Sequence, residues 1–408
     1  MDKGLSYMIP PVSRELLKAE LAGHYYLRHT HFGDKDIFVT TSHLSPNVMQ
    51  EVGRLRELSL AMHGCGTGQP TLIDEFDTLP EPYCFKQLVV WSAEDEEIVA
   101  GCRFIHGSNI FVGVDGKVNS PTARQLCYSE QYVNHFQPYT LELGRMFVHP
   151  QYQAENDLCK GMYSLDNLWD GIMTVAVEIP ETRYLLDNVD LLPRCSQKSM
   201  DRILFFLQKY CPDRDGLMWP NEPVEIEEDY NALHELFHGH NFKEDYLKLE
   251  QTLRADGEAL PPMVAAYLGQ AGAMRCFGMV RNVESSDVLE TTLLLDIGNL
   301  EPELRQRYLD SYDRKNHQLE RTRLFHINMK RLPWWGRLSE GEERETLLDL
   351  KRMRVARDRA DHSDAETRKE RRERRVAARR ARRLERRRAR QERRERRRER
   401  RSGGINSI

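Results

Sequence analysis

The sequence predicts an α/β (α+β) fold: a mixed, mostly antiparallel central sheet flanked by helices, an α/β extension in the second half, and a C-terminal Arg-rich helical or disordered tail. Three observations carry this expectation. Residues 87–91 and 98–104 are apolar, β-branched runs on either side of the acidic turn Glu94-Asp95-Glu96-Glu97, the pattern of an antiparallel hairpin. Residues 140–148 form a further strand, ended by His149-Pro150 because proline cannot donate to a ladder, and residues 163–177 then change to helical periodicity. Residues 367–401 are almost only Arg, Glu and Ala, so they cannot bury a core.

The remaining elements come in chain order. Ser45-Pro46 opens a helix through Val52, Leu55, Leu58 and Leu60, and Gly64-Cys65-Gly66-Thr67-Gly68 breaks it. Residues 183–186 give a strand and 203–207 a helix. A polar connector runs from Trp219 to about Glu228. Leu260-Pro261-Pro262 opens another helix, and residues 275–297 read as strands broken at Val283-Glu284-Ser285-Ser286. The folded body is expected to end near Trp334-Trp335-Gly336. The divisions are a core over 1–218, its second half over 219–345, and the tail over 346–408.

The net charge of −4 conceals two unlike parts: residues 351–401 hold 26 Lys and Arg against 10 Asp and Glu, a balance of +16, which leaves −20 on the rest. The tail reads as a solvated helix or a disordered segment, suited to an anionic membrane surface or to nucleic acid. No run approaches the ~18 apolar residues of a membrane span. Met1-Asp2-Lys3-Gly4-Leu5 lacks a basic-then-apolar leader. The eight cysteines include no C-x-x-C pair and read as thiols of a reduced compartment. A cytoplasmic protein is expected, free or peripheral on the inner face of the membrane.

Arg54-Leu55-Arg56-Glu57, Gly64-Cys65-Gly66-Thr67-Gly68, Asp74-Glu75-Phe76-Asp77-Thr78, Gln87-Leu88-Val89-Val90-Trp91, Glu142-Leu143-Gly144-Arg145, Pro150-Gln151-Tyr152-Gln153, Lys160-Gly161 and Leu165-Asp166-Asn167-Leu168-Trp169-Asp170-Gly171 form an ordered set of short motifs. The set resembles the haemolysin-like N-acyltransferases of the GNAT superfamily. Leu260-Pro261-Pro262, Ala266-Tyr267, Asp287-Val288 and Glu290-Thr291 continue it, so the resemblance covers about residues 10–335. The form is most similar to the Bacteroidetes glycine-lipid enzymes, which are related to the ornithine-lipid ones. The resemblance implies transfer of a long-chain, plain or 3-hydroxylated acyl group from a carrier-protein or coenzyme A thioester to the α-amino group of a small amino acid, glycine first, in aminolipid synthesis. The thioester is a co-substrate and no cofactor is implied.

The same resemblance implies a splayed central strand whose backbone N–H groups receive the pantetheine arm and polarise the thioester, with a following helix N-terminus offered to phosphate. Met146, Phe147, Val148, Gln153, Lys160 and Gly161 are thus the expected donor-binding residues. The phosphate turn is unusual: Glu155 and Asp157 would repel a pyrophosphate and only Lys160 offsets them, which favours a carrier-bound donor. Docking an acidic carrier then calls on Arg54, Arg56, Arg103 and Arg145, or on the tail. Glu142 is the expected proton acceptor, with an ion pair to an arginine such as Arg103 as the structural alternative. His149 is a second candidate base. Arg145 is expected to hold a carboxylate, internal or the acceptor's. Asp74, Asp77 and Arg103 are expected around the acceptor. Strand alternation places Glu142 and Arg145, three apart, on opposite faces. Trp169 is expected in the core.

Other motifs compete. His234-Glu235-Leu236-Phe237-His238 satisfies the zinc-peptidase pattern, in which histidines at i and i+4 share one helix face. His31 to Asp36 and His240 to Asp245 each match the H-x4-D dyad of glycerolipid acyltransferases. The alternatives to acyl transfer are a degenerate acyltransferase body working through its basic tail, and a zinc hydrolase.

Overall fold

Helix α1 (Arg14–Ala22) leads into the hairpin β1 (Tyr25–His29) and β2 (Asp36–Thr40), followed by α2 (Pro46–Met62) and the single turn α3 (Glu75–Thr78). Next come β3 (Lys86–Ser92), β4 (Glu97–His106), the short β5 (Leu126–Tyr128) and β6 (Thr140–Val148). The turn α4 (Leu158–Gly161), helix α5 (Ser164–Glu178), β7 (Tyr184–Asp190), α6 (Gln197–Tyr210) and β8 (Met218–Pro220) come after β6. The last elements are α7 (Tyr230–Leu236), α8 (Phe242–Ala255), α9 (Pro262–Leu268), β9 (Met274–Asn282), β10 (Val288–Asp296) and α10 (Pro302–Arg305). This computed structural model describes residues 5–22, 25–113, 116–154, 156–191, 195–269, 274–282 and 287–312, all in one compact unit. The tail, the Trp334-Trp335-Gly336 boundary, Glu155 and the turn at 283–286 lie outside the described residues.

Eight strands form one sheet in the order β1-β2-β3-β4-β6-β7-β10-β9, while β5 and β8 pair separately. Every neighbouring pair in the large sheet is antiparallel except β6 and β7. The division expected between residues 218 and 219 falls within β8, and β9 and β10 complete the same sheet as the first half.

Strand alternation sorts the core into two faces. Leu88, Val90, Leu141, Leu185 and Leu295 point to one face, where α5, α6, α8 and α9 cover them with Leu168, Trp169, Ile203, Leu249 and Tyr267. Val89, Trp91, Ile98 and Phe147 point to the other, under α1 and α2. Farther along that second face, Leu186, Leu294 and Phe277 pack beneath Tyr132 and Met218. Pro46 takes the first helical position of α2, while the Ser45 hydroxyl meets Thr40 Oγ1 at 2.7 Å instead of capping.

The Leu165–Gly171 motif is absorbed by packing. Asp166 binds Tyr308 Oη at 2.7 Å and pairs with Arg307. Trp169 is buried edge-on against Tyr267. Gly171 lies where a Cβ would meet Leu88 Cδ1 at 2.8 Å.

Candidate active site

Strands β6 and β7 run parallel for only three pairs, Thr140 with Tyr184, Leu141 with Leu185 and Glu142 with Leu186. Beyond Glu142, β6 continues against β4 and β7 continues against β10, so the two diverge. A β-bulge sets this off. The β4–β6 register slips between Gly101 and Arg103, and Arg145 sits at φ +51°, a left-handed conformation uncommon for a residue with a Cβ. The extra residue bends β6, and its ladder with β7 ends at Glu142.

A cavity opens on each side of this gap. One, of about 340 Å³, is mainly apolar and is lined by Met146, Phe147 and Val148 with Leu165, Leu168 and Met263. Gln153, Gly161 and Asp190 also line it. Five of the six residues expected at the donor line this cavity. Lys160 does not: its Nζ lies 2.9 Å from Asp95 Oδ1 and over the Tyr152 ring. Asp157 accepts N–H bonds from Cys159 and Lys160 and so caps its own turn.

The second cavity, of about 310 Å³, is polar and carries Asp74, Arg103, Arg124, Arg145, Asp190 and Glu290. Arg103 Nη1 binds Asp74 Oδ1 at 2.6 Å and Arg145 Nη2 lies 3.6 Å from Asp74 Oδ2. Burial opposes ionisation of Asp74, yet Arg103 and Arg145 hold its carboxyl below the ordinary range. Asp77 lies beneath this wall, fully buried, bound by Arg56 Nη1 at 2.9 Å and by Gln87 Nε2 at 2.9 Å. It supports the wall of this cavity and does not line it.

Four sequence-based expectations need correction. Glu142 and Arg145 do not face opposite ways: the bulge at Arg145 breaks the alternation, and both turn to the side bearing the polar cavity. Glu142 nevertheless lines neither cavity. It is buried with Thr122 Oγ1 donating to it at 2.8 Å, and burial raises its carboxyl above the usual range. His149 also lines neither, because its Nδ1 accepts the Gln151 N–H at 3.1 Å and burial pushes the imidazole down. Arg54, Arg56 and Arg103 cannot form a docking patch, since all three are buried in ion pairs with Glu51, Asp77 and Asp74.

The competing motifs dissolve in the same way. Helix α7 ends at Leu236, so His238 falls beyond it with Nδ1 2.6 Å from the Glu235 carbonyl, while His234 packs on Phe205. His31 Nδ1 lies 2.8 Å from Asp170 Oδ1, not on Asp36, and Asp245 binds Lys209 and Tyr210.

Sequence reasoning missed Asp190, the one described residue that lines both cavities, and Glu290 beside it. The signal in the sequence was a pair of carboxylates, Asp187 and Asp190, inside an apolar strand, where a charge needs a partner.

A splayed parallel strand pair, with an apolar slot on one side and a charged cavity on the other, is the arrangement expected of a GNAT N-acyltransferase. Residues 55–159 match the family model described as an acetyltransferase (GNAT) domain. A glycine N(alpha)-acyltransferase of Phocaeicola vulgatus is 40% identical over 305 residues, covering 75% of this chain and 93% of the relative. A glycine N(alpha)-acyltransferase of Bacteroides thetaiotaomicron is 39% identical over 305 residues, covering 75% of this chain and 90% of the relative. No solved structure matches the chain. The chain belongs to the GNAT N-acyltransferase family and is an acyltransferase enzyme.

Proposed function

We propose that this enzyme moves a long-chain acyl group, plain or 3-hydroxylated, from an acyl-carrier-protein thioester to the α-amino group of glycine, forming the lyso precursor of an aminolipid. The observation that carries the reading is the meeting of an apolar and a polar cavity at the β6–β7 gap. The apolar cavity suits the thioester arm and the start of the acyl chain. The stretch of β6 beyond its pairing with β7 supplies N–H groups to polarise the thioester carbonyl. The polar cavity suits an amino acid, with Arg145 taking its carboxylate. Glycine as the acceptor rests on the names of the two relatives.

Carrier protein is preferred to coenzyme A because the turn 153–161 offers no uncommitted cation among the described residues. Asp157 occupies its N–H groups and Asp95 holds Lys160. A pyrophosphate would meet acidic surface there, whereas a phosphopantetheine brings one phosphodiester. No helix among the described residues is long and apolar enough to cross a membrane. The +16 balance of residues 351–401 supports attachment to an anionic leaflet, where the lipid product partitions.

The test incubates the purified chain with glycine and either palmitoyl–acyl carrier protein or palmitoyl-CoA, with products read by mass spectrometry. N-palmitoylglycine is expected, formed faster from the carrier-bound donor. No acylated amine from either donor, with a panel of amino acids present, would reject the reading.

A further inference from the structure

Asp190 on β7 and Glu290 on β10 stand directly opposite one another in the antiparallel register. Both side chains line the polar cavity, close enough for each carboxyl to act on the other. Two carboxylates so placed repel one another unless they share a proton. Asp190 also reaches the apolar cavity, so it stands where an amine from one side meets a thioester from the other.

We infer that Asp190 is the catalytic base that takes the proton from the incoming amine, and that Glu290 is the positioning residue that shares it. This rests on the acyl-transfer reading above.

The surroundings fit that task. Arg145 faces the pair from β6, and Asp187 lies on β7 itself, hydrogen-bonded to Tyr267 Oη at 2.9 Å. Asn282 Nδ2 of β9 donates to Glu290 Oε1 at 2.6 Å, and Gln125 lines the same cavity. Arg103 and Arg281 lie farther round the cavity. Burial, then the charge of Glu290, raises the Asp190 carboxyl well above the usual range, against the pull of Arg145. A base so raised is better matched to an ammonium than an ordinary carboxylate is.

The step balances without a further reactant. Glycine arrives as the ammonium, and two N–H protons must leave nitrogen to give an amide. The doubly ionised pair takes the first. The freed nitrogen lone pair forms the C–N bond at the thioester carbonyl carbon, the C–S bond breaks, and its electron pair leaves on sulfur. Nitrogen releases its second proton as the adduct collapses. One proton ends on the pantetheine sulfur as the thiol and one in solvent, which restores the pair.

The test compares Asp190→Asn and Glu290→Gln with the full-length chain, using glycine and palmitoyl–acyl carrier protein. Asp190→Asn is expected to lower kcat by about 10²- to 10⁴-fold with donor KM unchanged. Glu290→Gln removes the like charge, so the rise of kcat/KM with pH should move to lower pH. A wild-type kcat in the first variant, or an unmoved pH limb in the second, would overturn the assignment. Infrared difference spectra read the pair without turnover: near neutral pH the wild type should show a protonated-carboxyl band that either variant removes. An active enzyme without that band sinks the shared proton alone. A wild type that shows the band yet acylates no amine sinks the acyl-transfer reading, and the base role with it.

Discussion

Arg103 is hydrogen-bonded to Asp74 at 2.6 Å and lies 3.3 Å from Asp77, so one guanidinium joins the wall of the polar cavity to a buried ion pair. Asp77 in turn holds Arg56, and Gln87 binds both. The charges of Arg56, Asp77 and Arg103 are buried together.

Asp77→Asn should therefore be costly. It leaves Arg56 and Arg103 short of a buried counter-charge, a loss of about 3–5 kcal/mol by analogy with other broken buried pairs. Burial opposes the charge on Asp77, but Arg56 and Arg103 hold its folded pKa below the unfolded value. Its contribution is thus fully present above the ordinary carboxylate range near pH ~3.9 and is lost as pH falls through the depressed folded value. Urea denaturation from neutral pH downward should show wild-type and Asp77→Asn stabilities converging in acid. Parallel curves would remove the charge argument.

Arg145 occupies its bulge at positive φ, where glycine meets no steric cost. Arg145→Gly should melt within a few degrees of the wild type, since relief of about 1–2 kcal/mol of backbone strain works against the loss of its charge beside Asp74, Asp190 and Glu290. Its kcat/KM for glycine should still fall about 10- to 100-fold, the size of one lost hydrogen bond to a charged group. A stable variant with unchanged glycine kinetics would free Arg145 from the acceptor role.

Much of the fold was legible because its signals are local. The acidic turn between the runs at 87–91 and 98–104, the proline after Val148 and the Pro-Pro at 261–262 each mark an element that forms there. Much of the site's lining was legible too: Met146, Phe147, Val148, Gln153 and Gly161 line the apolar cavity, and Asp74, Arg103 and Arg145 line the polar one. The expectations that failed depended on pairing. A slip of one residue at Arg145 reverses the face of the residues beyond it, and period-two alternation carries no trace of it. Asp190 and Glu290 are 100 positions apart and meet only through the β7–β10 register. The arginines near the N-terminus read as a basic patch because sequence shows their charge and not their partners.

Lys160 tests the donor. Its ammonium is committed to Asp95 and its side chain lines neither cavity. Lys160→Ala should leave the KM for palmitoyl–acyl carrier protein and the melting temperature unchanged, with palmitoyl-CoA the poorer substrate of both forms. A selective rise in KM for palmitoyl-CoA would show that Lys160 leaves Asp95 to hold a nucleotide phosphate.

Two glycines of the site region should respond differently to a single methyl group. At Gly161 an added Cβ would lie 2.3 Å from the Ala154 backbone nitrogen and 2.5 Å from the Gln153 carbonyl carbon. Those are backbone atoms in the wall of the apolar cavity, so the turn must shift as a unit. At Gly171 the nearest atoms are Leu88 Cδ1 and Cδ2, at 2.8 and 2.9 Å, the far end of a side chain that can rotate. Gly171→Ala should cost about 1–3 kcal/mol, the usual range for overpacking, and spare donor affinity. Gly161→Ala should cost more and raise the donor KM, because the displaced backbone carries Gln153, whose Nε2 donates to the Val148 carbonyl of β6 at 3.1 Å. Equal donor KM values for the two variants would mean that the turn does not shape the donor cavity.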